Sequence, residues 1–172
     1  MLIVLKYFHI VIILLALILA GSGNFRSFFF LLAEPEPDEN GVMISNYDGV
    51  QRKVYNPLIP ANGGLLYYRD LENYIDTEKS KEYFINTADW LIKNSINKTD
   101  GLNNGEEYTV WEYDWRSYGW IESPYYSALA QAESIYVLAL AFDLTNDEKY
   151  LVTANKAMKA FFLTIMQGVW SR

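Results

Sequence analysis

Cysteine is absent from the 172-residue chain, which excludes disulfides, thiolate nucleophiles and zinc–thiolate sites. Histidine occurs once, at His9, inside an apolar N-terminal stretch where it reads as a tolerated polar residue near the segment's end. Triads that need an imidazole base therefore have none to draw on. Acidic residues are missing before Glu34, where the only lysine or arginine residues are Lys6 and Arg26; beyond residue 33, 12 Lys and Arg face 21 Asp and Glu, a net charge of −9. That balance argues against nucleic acid or anionic lipid as a partner, since both need a basic face that releases counterions.

What is present begins with MLIVLKYFHIVIILLALILA, residues 1–20. As a signal peptide it has a weakly basic start at Lys6, an apolar run to Ala20 and small residues at Gly21, Ser22 and Gly23 for cleavage. As an uncleaved anchor, residues 3–20 are just long enough to cross a bilayer core, with Lys6 towards the cytoplasmic end. Either reading sends the rest to the exported side, secreted or membrane-anchored, in the secretory lumen of a eukaryote. An exported domain of this size without disulfides fits a bacterial or archaeal source, or a stable helical scaffold.

Residues 24–40 read as a linker, because Pro35 and Pro37 alternate with acids and block helix and central strand. The globular part then spans 41–172. Residues 42–55, VMISNYDGVQRKVY, hold an Asn-Tyr-Asp-Gly turn between β-prone runs and predict a hairpin. Residues 64–75 place Leu65, Tyr68, Leu71 and Ile75 at helical spacing, and Thr77 caps a following helix with a stripe of Tyr83, Phe84, Thr87, Trp90 and Leu91. Asn97-Lys98-Thr99 is a glycosylation sequon, meaningful in a host that glycosylates and placed in a solvated loop.

Residues 107–121, EYTVWEYDWRSYGWI, predict an aromatic β-hairpin. Ser123-Pro124 reads as N-cap and first turn of a helix to Leu144, and Thr145-Asn146-Asp147-Glu148 as a capping box for a helix from Asp147 to Met166. In the first of these, Ala128, Ala132 and Ala139 form a small-residue face while Leu129, Ile135, Leu138 and Phe142 fill the core; in the second, Tyr150, Leu151, Ala154, Ala157, Met158 and Phe161 share a side. Thr77 and Thr145 open similar helices, a weak repeat that points to stacked helix hairpins. Two hairpins do not close such an array, so the expectation is an incomplete chain or one completed by a partner, a homo-oligomer included.

Several residues invite chemistry. Tyr125 and Tyr126, in the first helical turn, suit either core-edge packing or stacking on sugar faces, with Trp111, Tyr113, Trp115, Tyr118 and Trp120 near the same groove. Gln131 needs hydrogen-bond partners, either backbone groups or a ligand. Glu112 and Asp114 share a strand face, as solvated charge or as the acid pair of a glycosidase.

The stretch ADWLIKNSINKTDG (88–101), the aromatic segment, and SPYYSALAQAESIYVLALAFDLTNDEKYLVTANKAMKAF (123–161), preceded by YNPLIPANGGLLYY (55–68), together resemble the D-glucuronyl C5-epimerase family at the start of its C-terminal helical domain. Residues 126–131, YSALAQ, are the most specific part. The resemblance implies a mainly α chain whose helix hairpins form part of an incomplete α/α toroid, acting on a uronic-acid polysaccharide. The implied reaction inverts C5 of glucuronate to give iduronate, with no dissociable cofactor and no metal. It implies substrate contact for Tyr125, Tyr126, Gln131 and Asn56, and proton-transfer residues beyond Arg172, so that the chain alone is expected to be inactive. An anionic polymer also calls for Arg52, Lys53, Arg69 or Arg116 near the groove. Tyr125 and Ala132 stand where the family has Trp and Gly, and the β-rich N-terminal part of animal members is missing. The alternatives are a toroid hydrolase or lyase using Glu112 and Asp114, and a membrane-tethered glycan-binding protein without catalysis.

Overall fold

The computed structural model describes residues 35–46, 53–54, 56–99, 105–113 and 124–162. The N-terminal stretch read as signal or anchor lies outside them, as do Arg52, Asp114, Trp115, Arg116, Tyr118, Trp120 and Ser123. Four helices carry the described fold: α1 (Leu58–Glu72), α2 (Thr77–Lys93), α3 (Ala128–Thr145) and α4 (Glu148–Lys159), the last continued by a 3-10 turn, Ala160–Phe162. Helix α1 packs on α2 and α3 on α4, and α3 touches α1 and α2 as well. The result is two helix hairpins stacked through α3.

Helix α1 starts earlier than Gly64. The Asn56 side-chain oxygen accepts from the Leu58 amide at 3.0 Å and its carbonyl from the Ile59 amide at 2.9 Å, which turns the chain into the helix. Pro60 then falls in the first turn, where a missing N–H loses no helical bond. Gly64 lets neighbours close in: a Cβ there would stand 3.0 Å from Thr87 Cγ2 and 3.3 Å from Val137, so α2 and α3 both lean on this point. Gly63 does the same for Met43, 2.4 Å from a notional Cβ.

Between α1 and α2 the chain reverses through left-handed Tyr74 and Asp76, with φ of 58° and 42°. Asp76, not Thr77, occupies the cap position, and its carbonyl accepts from the Ser80 amide at 2.8 Å; Thr77 is already helical because the reversal is finished before it. Phe84, Thr87, Ala88 and Leu91 form the buried stripe.

Helix α3 begins at Ala128. Ser127, in extended backbone, is the cap that accepts from the Ala130 amide, and Tyr125 and Tyr126 belong to a strand rather than to the first helical turn. The buried face includes Ala130, Ala132, Ser134, Val137, Leu138 and Ala141, whereas Ala128 and Ala139 face solvent, so of the three alanines expected to form a small-residue face only Ala132 is buried. Among the described residues α3 is long and apolar enough to cross a membrane by length and composition, and here it is the central helix of the stack. Left-handed Asn146 ends it, which leaves Asp147, with its side chain accepting from Lys149 N at 3.1 Å, as the cap of α4 in place of a Thr145 capping box. Tyr150, 1% exposed, donates its hydroxyl to Asp89 Oδ1 at 2.8 Å, and Lys149 Nζ reaches the same oxygen at 2.9 Å, tying α4 to α2.

The strands are short and antiparallel. β1 (Glu36–Pro37), β2 (Met43–Asn46) and β3 (Lys53–Val54) form one sheet, so the expected hairpin over 42–55 is present and the proline-bearing acidic segment adds an edge strand, where proline is tolerated. β4 (Ile96–Thr99) pairs with β5 (Glu107–Val110), and β6 (Glu112–Tyr113) with β7 (Tyr125–Tyr126). The described part of the aromatic segment, residues 107–113, therefore pairs with strands outside the segment, and the remainder of the expected hairpin lies outside the described residues. Trp111 divides the described part: the ring is buried and Nε1 donates to the Leu91 carbonyl at 2.8 Å, sending β5 back to β4 and β6 forward to β7.

Candidate functional site

The register of β6 and β7 sets Glu112 opposite Tyr126 and Tyr113 opposite Tyr125, so the two pairs occupy opposite faces of the ribbon. The inner face is aromatic. Tyr113 and Tyr125 stack with centroids 4.7 Å apart and planes 25° apart, against Leu58, Ala130 and Leu129. Burial pushes the Tyr113 hydroxyl well above its ordinary range, against the opposite pull of hydrogen bonds with Ser127 and the Leu58 backbone.

The outer face is polar. Tyr126 donates its hydroxyl to Glu112 Oε1 at 2.7 Å, and Lys98, reaching in from β4, hydrogen-bonds the Tyr126 oxygen and ion-pairs with Glu112. The Lys98 ammonium also lies 5.0 Å from the Tyr126 ring centroid. Lys98 and Glu112 are partly exposed, with side chains 33% and 18% accessible, so the cluster faces outward. Partial burial works against the Lys98 charge, but its bonds to Glu112 and Tyr126 prevail and raise its pKa. Burial likewise opposes the Glu112 charge and is outweighed by Lys98 and Tyr126, so that carboxyl is lowered. Tyr126 is raised, by burial first, with Glu112 adding to it and Lys98 acting against it.

At neutral pH the trio is thus an ammonium, a carboxylate and a neutral phenol. It can donate hydrogen bonds to hydroxyls and offer an ammonium to a carboxylate. A general acid in glycoside cleavage needs a raised carboxyl pKa, and Glu112 is moved the other way.

The other expected site residues are placed differently. Gln131, 2% exposed, donates Nε2 to the Thr109 carbonyl at 2.7 Å and the Ala157 carbonyl at 3.0 Å, bracing β5 against α3 and α4. Asn56 is the α1 start described above. Arg69 is exposed beside Asp70 at 3.7 Å. The cation that meets the tyrosine is instead Lys98, which reading the sequon as a loop missed; its signal was the run INKT, able to pair with EYTV. Glu133, 2% exposed inside the apolar α3, was also missed and lies close enough to act on the Tyr113 hydroxyl. Among the described residues no group of three His, Asp or Glu side chains is gathered to hold a metal ion.

These elements define a helix-hairpin domain whose strands carry a tyrosine-rich polar face. Residues 104–171, which include Glu112, Tyr126 and Gln131, match the family model described as D-glucuronyl C5-epimerase C-terminus. A D-glucuronyl C5-epimerase of Caenorhabditis elegans is 38% identical over 92 residues, 53% of this chain and 14% of that relative's length. This segment is thus similar to the C-terminal part of D-glucuronyl C5-epimerases, and the chain spans a small part of that relative's length. No solved structure matches.

Proposed function

We propose that the chain is part of a polysaccharide-modifying isomerase that converts D-glucuronate to L-iduronate residues by removing and returning the C5 proton, and that the Lys98–Glu112–Tyr126 face holds the uronate polymer. The match over residues 104–171, which contain Glu112 and Tyr126, carries this reading. In it, Tyr126 and Lys98 bond the sugar and its carboxylate, Tyr125 shapes the wall behind them, and Gln131 and Asn56 position the strand and helix that present them. None of the three outer groups is tuned as a base at neutral pH, so the proton transfers fall to other residues. The helix hairpins would be part of an α/α toroid, exported behind the N-terminal apolar segment and membrane-tethered if that segment is kept.

Calorimetric titration of the full chain with a glucuronate-containing oligosaccharide, alongside C5 deuterium uptake in heavy water, tests the proposal. Binding without deuterium uptake is expected. Release of new reducing ends would overturn it in favour of a hydrolase or lyase, and absence of binding would remove the assigned role of this face.

A further inference from the structure

We propose that Asn97 carries an N-linked glycan. Asn97-Lys98-Thr99 is the single Asn-X-Ser/Thr sequence with X other than proline in the chain. It lies on β4, which among the described residues pairs with β5 alone. Asn97 and Thr99 are exposed.

The amide of Asn97 is oriented for substitution. Thr109, fully buried and directly opposite in the sheet, donates its hydroxyl to Asn97 Oδ1 at 2.7 Å. The oxygen is therefore held from the protein side. By contrast, Asn62, Asn73, Asn86 and Asn94 each spend Nδ2 on a backbone carbonyl at 2.8–3.0 Å. Among the described residues Asn97 Nδ2 donates to no group, and N-glycosylation substitutes that nitrogen while leaving the oxygen an acceptor.

Strand alternation puts Lys98 on the opposite face from Asn97 and Thr99, where it meets Glu112 and Tyr126. A glycan on Asn97 thus stands clear of that cluster, on the Asn97–Thr99 face of β4. The chemistry is transfer from a polyprenyl-pyrophosphate-linked oligosaccharide by an oligosaccharyltransferase. A bond forms between the anomeric carbon and Nδ2, the bond from that carbon to the pyrophosphate oxygen breaks, the amide loses one proton, and the lipid pyrophosphate leaves.

The test is expression of the full chain with its own N-terminus in a eukaryotic secretory host, with a control Asn-Gly-Thr tag after Arg172. Peptide N-glycosidase should shift the untagged chain by one glycan and the tagged chain by two. Asn97→Gln and, independently, Thr99→Ala should each remove one glycan, and digestion in heavy-oxygen water should label residue 97. A tag that is modified while Asn97 is not overturns the proposal. So does a chain on which neither is modified, because the assignment requires Asn97 to meet the lumenal transferase.

Discussion

Gln131 Nε2 sits 2.7 Å from the carbonyl oxygen of Thr109 and 3.0 Å from that of Ala157, so one amide group holds a strand and a helix that lie 48 residues apart in the chain. Replacing Gln131 with Ala removes both bonds and opens a void in a buried place, although the Ala157 carbonyl keeps the Ala160 amide as donor. A loss of about 2–4 kcal/mol is expected, read as a lower midpoint in urea with an unchanged slope. A stability change below about 0.5 kcal/mol would show that the two bonds do not brace the fold.

Gly41 predicts a second large effect. Its φ of +81° is one that side chains rarely adopt, and a Cβ would lie 2.2 Å from the Tyr83 ring. Gly41→Ala should destabilise by about 2–5 kcal/mol, the combined range for left-handed strain and overpacking. Thermal unfolding of the variant checks it, and a Tm equal to that of the parent would contradict it.

Tyr67 governs the alkaline limb. Its hydroxyl donates to the Gly41 carbonyl at 2.8 Å, and burial pushes its pKa up to about 12, with Tyr83, Asp38 and Asp70 adding to the shift. The folded value lies above the unfolded one near 10, so this contribution is complete below about pH 10 and is lost as pH rises through the folded value. Tyr67→Phe should lose roughly 1 kcal/mol at pH 7 and unfold less steeply between pH 10 and 12. Denaturant midpoints measured across that window decide the matter.

On the acid side the sign reverses. The lowered Glu112 carboxyl supports the fold above the unfolded glutamate value, near 4.3, and that support fades as pH falls through its folded value. Glu112→Gln should flatten this part of the acid limb, and an identical acid profile in the variant would count against the Lys98–Glu112 pairing.

The polar face makes a separable prediction about binding. Tyr126→Phe removes the hydroxyl shared by Glu112 and Lys98 yet keeps the ring, and Lys98→Met removes the cation. Each should weaken binding of a glucuronate oligosaccharide by about 5–10-fold, the scale of one ordinary hydrogen bond, while circular dichroism stays that of the parent. Unchanged affinity in both variants would mean that the sugar is held elsewhere.

How far these features could be read from the sequence depended on whether their causes were local. The stripes of α2 and α4 were legible because Phe84, Thr87 and Leu91, or Tyr150, Ala154 and Ala157, repeat at helical spacing whatever packs on them. The start of α1 was hidden because Pro60 and Gly63-Gly64 look like breakers; only the approach of Met43, Thr87 and Val137 explains the glycines. Ser123-Pro124 resembled a better helix start than Ser127, and what decides is that Tyr125 and Tyr126 are taken by pairing with Tyr113 and Glu112, a non-local contact. The polar cluster draws on β4, β6 and β7, so no window of sequence contains it. For Gln131 the sequence left backbone and ligand both open, and its amide nitrogen is bonded to backbone.

Trp111 separates two strand pairings with a single residue, and its indole is fastened to the last turns of α2. Tension carried along the strands would therefore reach this side chain from both directions, since β5 leads back to α2 through β4 while β6 leads on to α3 through β7, beside the load borne by the packing of α3 on α1 and α2 and by Gln131. The stretch from Glu107 to Tyr113 acts as a mechanical clasp: released at Trp111, both strand pairs would lose their shared tie to α2, and the tyrosine face would bear on the helices through Tyr113 and Tyr125 against Leu58 and Ala130 alone.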